Sequence, residues 1–260
     1  MSNDYLHAVR EYELGLVMAE LPDTNSTQSG ARVLDIGAGT GHQSALLQAR
    51  GYRVTAVDLP VSSYASARVF PVIDYDGTRL PLPNASVDVV FSSNVLEHVS
   101  SIAPLLDECR RVLIDGGLAV HVLPTPAWRW WTTLTHYPWL VAKVWRRAAG
   151  AGSQPRGKGG GGRPSRPWWT MLWPERHGER GTTVTEPYYF SERWWQTVFA
   201  ESGFRVEKTY PTGLFYTGNM LFAERLPISA RRRLSLWLGS SCRVYVMRVA
   251  RPAGDALKIP

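Results

Sequence analysis

The run VLDIGAGTGHQS from Val33 to Ser44 places one carboxylate, Asp35, just ahead of three glycines, Gly37, Gly39 and Gly41. Glycine spacing of this kind lets a backbone turn sharply from strand to helix and approach a ligand closely, while the first turn of the following helix offers unpaired N–H groups. That is the chemistry of a nucleotide-type cofactor site. The acid narrows it. A carboxylate at the strand end would repel the pyrophosphate of a dinucleotide and attract a cationic amino acid.

A second acid follows 23 residues later, where the apolar run Val54 to Val57 ends in Asp58 and Leu59. A carboxylate at that distance from a glycine loop can accept both ribose hydroxyls in any nucleoside-binding βαβ unit. The loop itself discriminates among nucleosides. Its glycines fall as GxGxG and not as the GxGxxG of dinucleotide sites, and no Lys-Ser or Lys-Thr follows to hold a phosphate as in a P-loop. S-adenosylmethionine satisfies these conditions, since it carries an ammonium and no phosphate.

The chain resembles the class I S-adenosylmethionine-dependent methyltransferases, in particular the small-molecule, type 11 group exemplified by ubiquinone-biosynthesis enzymes. The resemblance spans about residues 30 to 125 and includes DYDGTRLPLPNASVDVVFSSNVLEHV from Asp74 to Val99 and LLDECRRVLIDGGLAVHVLPTP from Leu105 to Pro126. It implies that Asp35, Gly37, Ala38, Gly39 and Gly41 cradle the methionyl end of the cofactor, with Asp58 and Leu59 at the ribose. It also implies that Asp76 accepts from the adenine amine, that Gly77 offers its backbone to the ring, and that Ser93 and Asn94 line the site after the fourth strand. The implied fold is α/β and Rossmann-like, a mostly parallel seven-stranded sheet with helices on both faces.

The elements that must position these residues are visible without the resemblance. Ile102, Leu105, Leu106, Cys109, Val112 and Leu113 recur at helical spacing, with Asp107, Glu108, Arg110 and Arg111 on the opposite side. Gly116 and Gly117 are expected to end that helix and lead into the apolar run Leu118 to Leu123, and Val87 to Phe91 reads as another strand. Strands alternating with helices predict a parallel sheet covered on both faces, with ligand beyond the carboxyl ends of the strands where the strand order reverses. Asp35, Asp58 and Asn94 all fall at strand ends.

Three segments are expected: a cofactor-binding core over residues 1–126, a Trp-rich and Gly-rich insertion after the fifth strand over 127–173, and an acceptor-side cover with C-terminal strands over 174–260. A 44% apolar content suffices for one core. Cys109 and Cys242 lie far apart, so reduced thiols are expected, with no disulfide framework, no zinc site and no other metal. The charged N-terminal run MSNDYLHAVREYE lacks an apolar signal core, and no window reaches the roughly 18 apolar residues of a membrane span. The expected location is cytoplasmic, extending to the inner membrane face.

The insertion is unusual. Trp128, Trp130, Trp131, Trp139 and Trp145 alternate with Arg129, Lys143, Arg146 and Arg147, a composition suited either to a lid over the cofactor or to a membrane interface. Residues 150–162 contain seven glycines, too little apolar surface to offset ordering entropy, so a mobile loop is expected there. Arg231, Arg232 and Arg233 adjoin the Leu and Trp cluster of 234–238, compatible with a basic amphipathic helix or with a solvated helix capping the sheet. The net charge of +7 favours an anionic partner, with a membrane, a phosphorylated intermediate and RNA all open on charge alone.

The acceptor side is expected within residues 174–222. There His177 stands in a polar, Gly-rich setting with Glu179 and Glu186, a helix follows from an Ser191 cap to a stop at Gly203, and the turn-rich PTGLFYTGN of 211–219 borders the pocket. Trp194, Trp195, Val198 and Phe199 make the apolar side of that helix. Methyl transfer from a sulfonium needs alignment and removal of the acceptor proton, and His is suited to the latter. His177 is the first candidate base and His98 the second. The expected activity is O-methylation of a small-molecule, glycan or lipid-linked acceptor. Carbon methylation of a quinone-like ring, RNA methylation and a non-catalytic scaffold are the alternatives. RNA is disfavoured because Ser92-Ser93-Asn94-Val95 lacks an Asn-Pro-Pro-Tyr type signature.

Overall fold

The apolar runs at the centre of the chain leave both faces of each strand needing cover, and the structure supplies it with helices on either side. The computed structural model describes residues 4–24, 30–148, 174–218 and 225–250. Helix α1 (Asp4–Met18) precedes β1 (Arg32–Ile36), α2 (His42–Ala49), β2 (Arg53–Asp58) and β3 (Val72–Asp74). The chain then forms β4 (Val87–Ser93), α3 (Ile102–Val112), β5 (Leu113–Pro124) and α4 (Pro126–Ala148). The last group is α5 (Glu186–Tyr189), α6 (Glu192–Glu201), β6 (Phe204–Pro211), α7 (Ile228–Leu238) and β7 (Cys242–Val249).

The strands make one seven-stranded sheet in the order β3-β2-β1-β4-β5-β7-β6. Every adjacent pair is parallel except those of β7, which runs antiparallel to both β5 and β6. The expected α/β, mostly parallel sheet is therefore present. After β1 the chain builds outward through β2 and β3, then returns to place β4 on the other side of β1. That reversal opens a crevice at the carboxyl ends of β1 and β4.

Successive strand residues point to opposite faces and so feed two cores. Val120, Val122, Val244 and Val246 pack with Val9, Leu14 and Val17 of α1 and Leu47 of α2. Ala119, Tyr245 and Met247 pack with Leu105, Leu106 and Cys109 of α3 and Trp195 and Phe199 of α6. Helix α6 begins as expected, the Ser191 hydroxyl accepting from the Trp194 N–H at 3.2 Å, and Gly203 follows its end with φ +75°.

Two sequence expectations are corrected. Helix α3 ends at Val112, and Gly116 and Gly117 lie inside β5, where the partner of β4 jumps from Leu113 to Leu118. The glycines form a bulge because Val87 and Val89 pair with Leu113 and Leu118, so that four residues stand opposite Asp88 alone and three extra ones must loop out. Arg231 is not on the exposed basic side of α7. It is buried, donating to the carbonyls of Leu226 and Phe215 and lying 4.4 Å over the Tyr5 ring. The Gly-rich stretch 150–162 and Arg163 to Pro167 lie outside the described residues.

Phe199 is fully buried, stacks with Trp195 at 5.6 Å and meets Tyr245 edge to face at 5.5 Å. Phe199→Ala is expected to destabilise the fold by about 3–5 kcal/mol through lost burial and an unfilled cavity. Urea unfolding measures this, and a loss below about 1 kcal/mol would contradict the packing of α6 on the sheet.

Candidate active site

The glycine loop leaves β1 and is tied down at once, Gly37 and Ala38 both donating to the Val57 carbonyl at 2.8 and 3.1 Å. Gly37, Gly39 and Gly41 all have positive φ, and a Cβ on Gly37 would meet the Val95 side chain at 2.5 Å. No larger residue fits that turn. At the end of β2 the Asp58 carboxylate accepts from the Gly39 N–H at 3.0 Å and from the Leu59 N–H at 2.8 Å. It thereby fixes the loop and stands beside it.

Asp35 is placed differently from its fellow acids. It is the penultimate residue of β1, is buried, and receives the Ser44 hydroxyl at 2.5 Å; burial, which outweighs that hydrogen bond, pushes its carboxyl up to about 7. Asp76 is exposed, and the Thr78 hydroxyl together with the amides of Thr78 and Arg79 hold its carboxyl down at about 2. Gly77 follows with φ +81° against Leu59. Ser93 closes β4, and Asn94 adopts the left-handed conformation at φ 56°, its N–H donating to the Val122 carbonyl at 2.8 Å.

A cavity of about 170 Å³ lies between the glycine loop and α1, bordered by Gly37, Ala38, Ser93, Asn94 and, from the helix, Arg10 and His7. Asp35 does not border it. Arg10 pairs with Glu13 at 2.7 Å, and Glu13 accepts from the Tyr216 hydroxyl at 2.9 Å. Sequence reasoning missed Arg10 because the pattern Arg10-Glu11-Tyr12-Glu13 looks like a solvated helix face, and only the packing of α1 on the sheet turns it inward.

A second centre forms just beyond β4. The turn at Leu96–His98 and the segment His177–Arg180 are clamped together: Glu179 N–H donates to the Glu97 carbonyl at 2.9 Å, and the Arg180 guanidinium donates to the carbonyls of Val99 and Ser100 at 2.6 and 2.8 Å. Gly178 is required there, since a Cβ would lie 2.9 Å from the same Glu97 carbonyl. The clamp brings the rings of His98 and His177 to 4.6 Å, edge to face, with Trp128 of α4 at 4.5 Å from His177. Burial, aided by His98, Arg129 and Arg10, lowers His177 to about 3, and burial also lowers His98, so both imidazoles are neutral at physiological pH.

Glu97 joins them. Its carboxylate is buried with no hydrogen-bond partner on either oxygen, and burial pushes it up to about 8. Beneath this centre Glu186 is also fully buried, but unlike Glu97 it meets both backbone donors and a cation. One oxygen accepts from the N–H groups of His177 and Gly178 at 2.6 and 2.7 Å, and the other lies 2.6 Å from the Arg129 guanidinium of α4.

A doubly wound sheet with an antiparallel seventh strand, a glycine loop at the switch point and an acid ending β2 make up the class I methyltransferase fold. Residues 34–121 match the methyltransferase domain family. A methyltransferase of Mycolicibacterium vanbaalenii is 39% identical over 103 residues, 37% of this chain and 40% of that protein. The malonyl-[acyl-carrier protein] O-methyltransferase of Serratia marcescens is 37% identical over 97 residues, 36% of this chain and 38% of that protein. These matches span about two-fifths of the relatives' length. Among solved structures, an S-adenosylmethionine-dependent methyltransferase from Mesorhizobium loti superposes with a TM-score of 0.54 at 21% identity, covering 91% of this chain and 97% of that one. The chain carries a class I S-adenosylmethionine-dependent methyltransferase domain.

Replacing Arg129 with Leu strands the buried Glu186 charge, and removing one partner of such a pair costs about 3–5 kcal/mol. Arg129→Leu is therefore expected to unfold at clearly lower urea concentration than the unaltered chain. Unchanged unfolding would show that the pair does not hold α4 to the His177 loop.

Proposed function

We propose that this chain is an S-adenosylmethionine-dependent O-methyltransferase that acts on a hydroxyl of a glycan, lipid-linked or other small amphiphilic acceptor at an anionic membrane face. The observation that carries the reading is the adjacency of two centres: the glycine-loop cavity at β1 and β4, and the Glu97, His98 and His177 cluster three residues beyond Asn94.

The residues present fit the donor. Asp58 offers a carboxylate to ribose hydroxyls, Arg10 offers a cation suited to the methionyl carboxylate, and Asp76 with Gly77 stands where the adenine edge is expected. Gly37, Ala38, Gly39 and Gly41 allow close approach, Leu59 flanks the ribose acid, and Ser93 and Asn94 form the floor. Asp35 acts through Ser44 and the loop rather than by direct contact. S-adenosylmethionine supplies an electrophilic methyl group on a sulfonium, so alignment of the acceptor and removal of its proton are the tasks left to the protein.

The cluster suits the second task. Two neutral imidazoles and a buried carboxyl can hold a hydroxyl and take up its proton, and Trp128 beside His177 keeps the site apolar. The Serratia relative's O-methyltransferase activity agrees with an oxygen acceptor.

The membrane part of the reading rests on α4 and α7. Trp130, Leu134, Tyr137, Val141, Val144 and Trp145 recur every three or four residues along α4 and are exposed, Trp145 to 73%. On α7, Leu236 and Trp237 are exposed, Trp237 to 88%, beside Arg232 and Arg233. The Trp131 indole N–H donates to the Leu238 carbonyl at 2.9 Å, so the two helices are joined. Exposed Trp with flanking Arg suits an interfacial depth. No helix among the described residues is long and apolar enough to cross a membrane.

Asp58→Ala is expected to weaken binding of S-adenosylhomocysteine by about 10–100-fold, the loss of a charge-assisted hydrogen bond, as read by calorimetry. His177→Gln should leave that affinity intact while labelled methyl transfer into glycan and lipid fractions falls by at least about a hundredfold. Binding unaffected by Asp58→Ala, or transfer unaffected by His177→Gln, would overturn the corresponding assignment.

Flotation with phosphatidylglycerol vesicles tests the membrane face. The full chain is expected to float, and to float less at high salt and in a Trp145→Ala, Trp237→Ala double variant. Protein that stays with the dense fraction at low salt would remove the membrane from the reading.

A further inference from the structure

Glu97 is anomalous. A buried carboxylate with neither oxygen hydrogen-bonded is costly unless a cation meets it, and no Arg or Lys of the described residues does so. What faces it instead is a pair of imidazoles. His98 Nε2 lies 3.9 Å from Glu97 Oε1, the His98 and His177 rings are 4.6 Å apart, and one ligand atom from each of the three residues falls within 4.8 Å of the others.

We infer that Glu97, His98 and His177 form a binding site for a divalent first-row transition-metal ion, held by two imidazole nitrogens and one carboxylate. Bond lengths of about 2.0–2.2 Å place neighbouring ligand atoms roughly 3.0–3.5 Å apart, so side-chain rotation of about 1 Å closes the set. Two imidazoles with a carboxylate suit Zn²⁺, Mn²⁺ or Fe²⁺ better than Mg²⁺ or Ca²⁺, which prefer oxygen ligands. Binding displaces the proton that burial keeps on the Glu97 carboxyl, and the neutral imidazoles already present lone pairs.

The surrounding charges permit it. Of the nearby guanidinium groups, Arg10 is neutralised by Glu13 at 2.7 Å and Arg129 by Glu186 at 2.6 Å, while Arg180 is turned onto the carbonyls of Val99 and Ser100. Glu179, whose charge also reaches His98, adds negative potential. The scaffold is stiff where a metal site needs it, since Glu186 fixes the His177 backbone and Glu179 N–H fixes that of Glu97. This departs from the sequence expectation of no metal, for the three candidate ligands come from positions 97, 98 and 177, a spacing that no linear motif displays.

The inference rests on the cluster of the proposed function and changes its chemistry: with both imidazoles on an ion, the ion, and not His177 as a base, would lower the pKa of an acceptor hydroxyl that reached it. Its test does not depend on methyl transfer. The chelator-treated full chain is titrated with Zn²⁺ and with Mn²⁺ by calorimetry, and with Co²⁺ by visible absorption. One ion per chain is expected, with affinity at least about tenfold weaker in Glu97→Gln and in His98→Ala, and unchanged in His136→Ala. His98 is nearly half exposed, so its variant remains informative even where Glu97→Gln fails to fold. Zinc should also raise the thermal midpoint of the unaltered chain and not that of His98→Ala.

No binding of any of the three ions, or equal binding by His98→Ala, would overturn the site. Metal binding without methyl transfer to any acceptor would leave the site standing and sink the proposed function. Undiminished transfer by a chain shown to hold no metal would leave the function standing and confine the ion to another role.

Discussion

The acceptor half of this protein depends on one buried carboxylate. Glu186 receives two backbone N–H groups from His177 and Gly178 and the guanidinium of Arg129, so three separate stretches of chain meet at its two oxygens. Each of those groups is buried and would be strongly unfavourable alone. Together they leave the loop no low-energy alternative position. His177 is therefore held against His98 and Trp128 by backbone bonds, and its own ring remains free for chemistry.

The two centres differ in electrostatic character. On the glycine-loop side two of the three acids are committed, Asp58 to the glycine loop and Asp76 to its own turn, while Asp35 is buried against Ser44. On the acceptor side burial dominates, driving Glu97 up and both histidines down toward their neutral forms. The neutral imidazoles each keep a lone pair for a proton or an ion, whereas the Glu97 carboxyl must give up its proton before it can bind a cation. The contrast follows from position. Asp58 and Asp76 sit toward the open rim of the sheet, whereas Glu97 lies under the segment that Glu179 and Arg180 fasten above it.

Helix α4 connects this chemistry to the outside. Its inward side carries Trp128, Arg129 and Thr132, which reach His177, Glu186 and the Gly218 N–H respectively. Its outward side carries the exposed aromatic and aliphatic stripe. A surface that engaged the stripe would act on the same rigid helix that anchors the His177 loop. The wall beside His177 and the exposed stripe are thus two sides of one element.

The sequence by itself determined the donor half. The glycine loop, Asp58, the α3 stripe and the strand runs are local patterns, with ligand-facing residues set by strand ends and core residues set by period, and so they were readable in order along the chain. It also named His177 and His98, from residue type alone. Only the tertiary structure decided that these two meet, that Glu97 lies unpartnered between them and that Arg10 turns inward. It also moved Arg231 into the interior and placed Gly116 and Gly117 in a bulge. Each of these is set by contacts between residues far apart in the chain. Sequence spacing encodes the period of a helix or strand, but which buried charge finds which partner is fixed only when the elements pack and water is excluded.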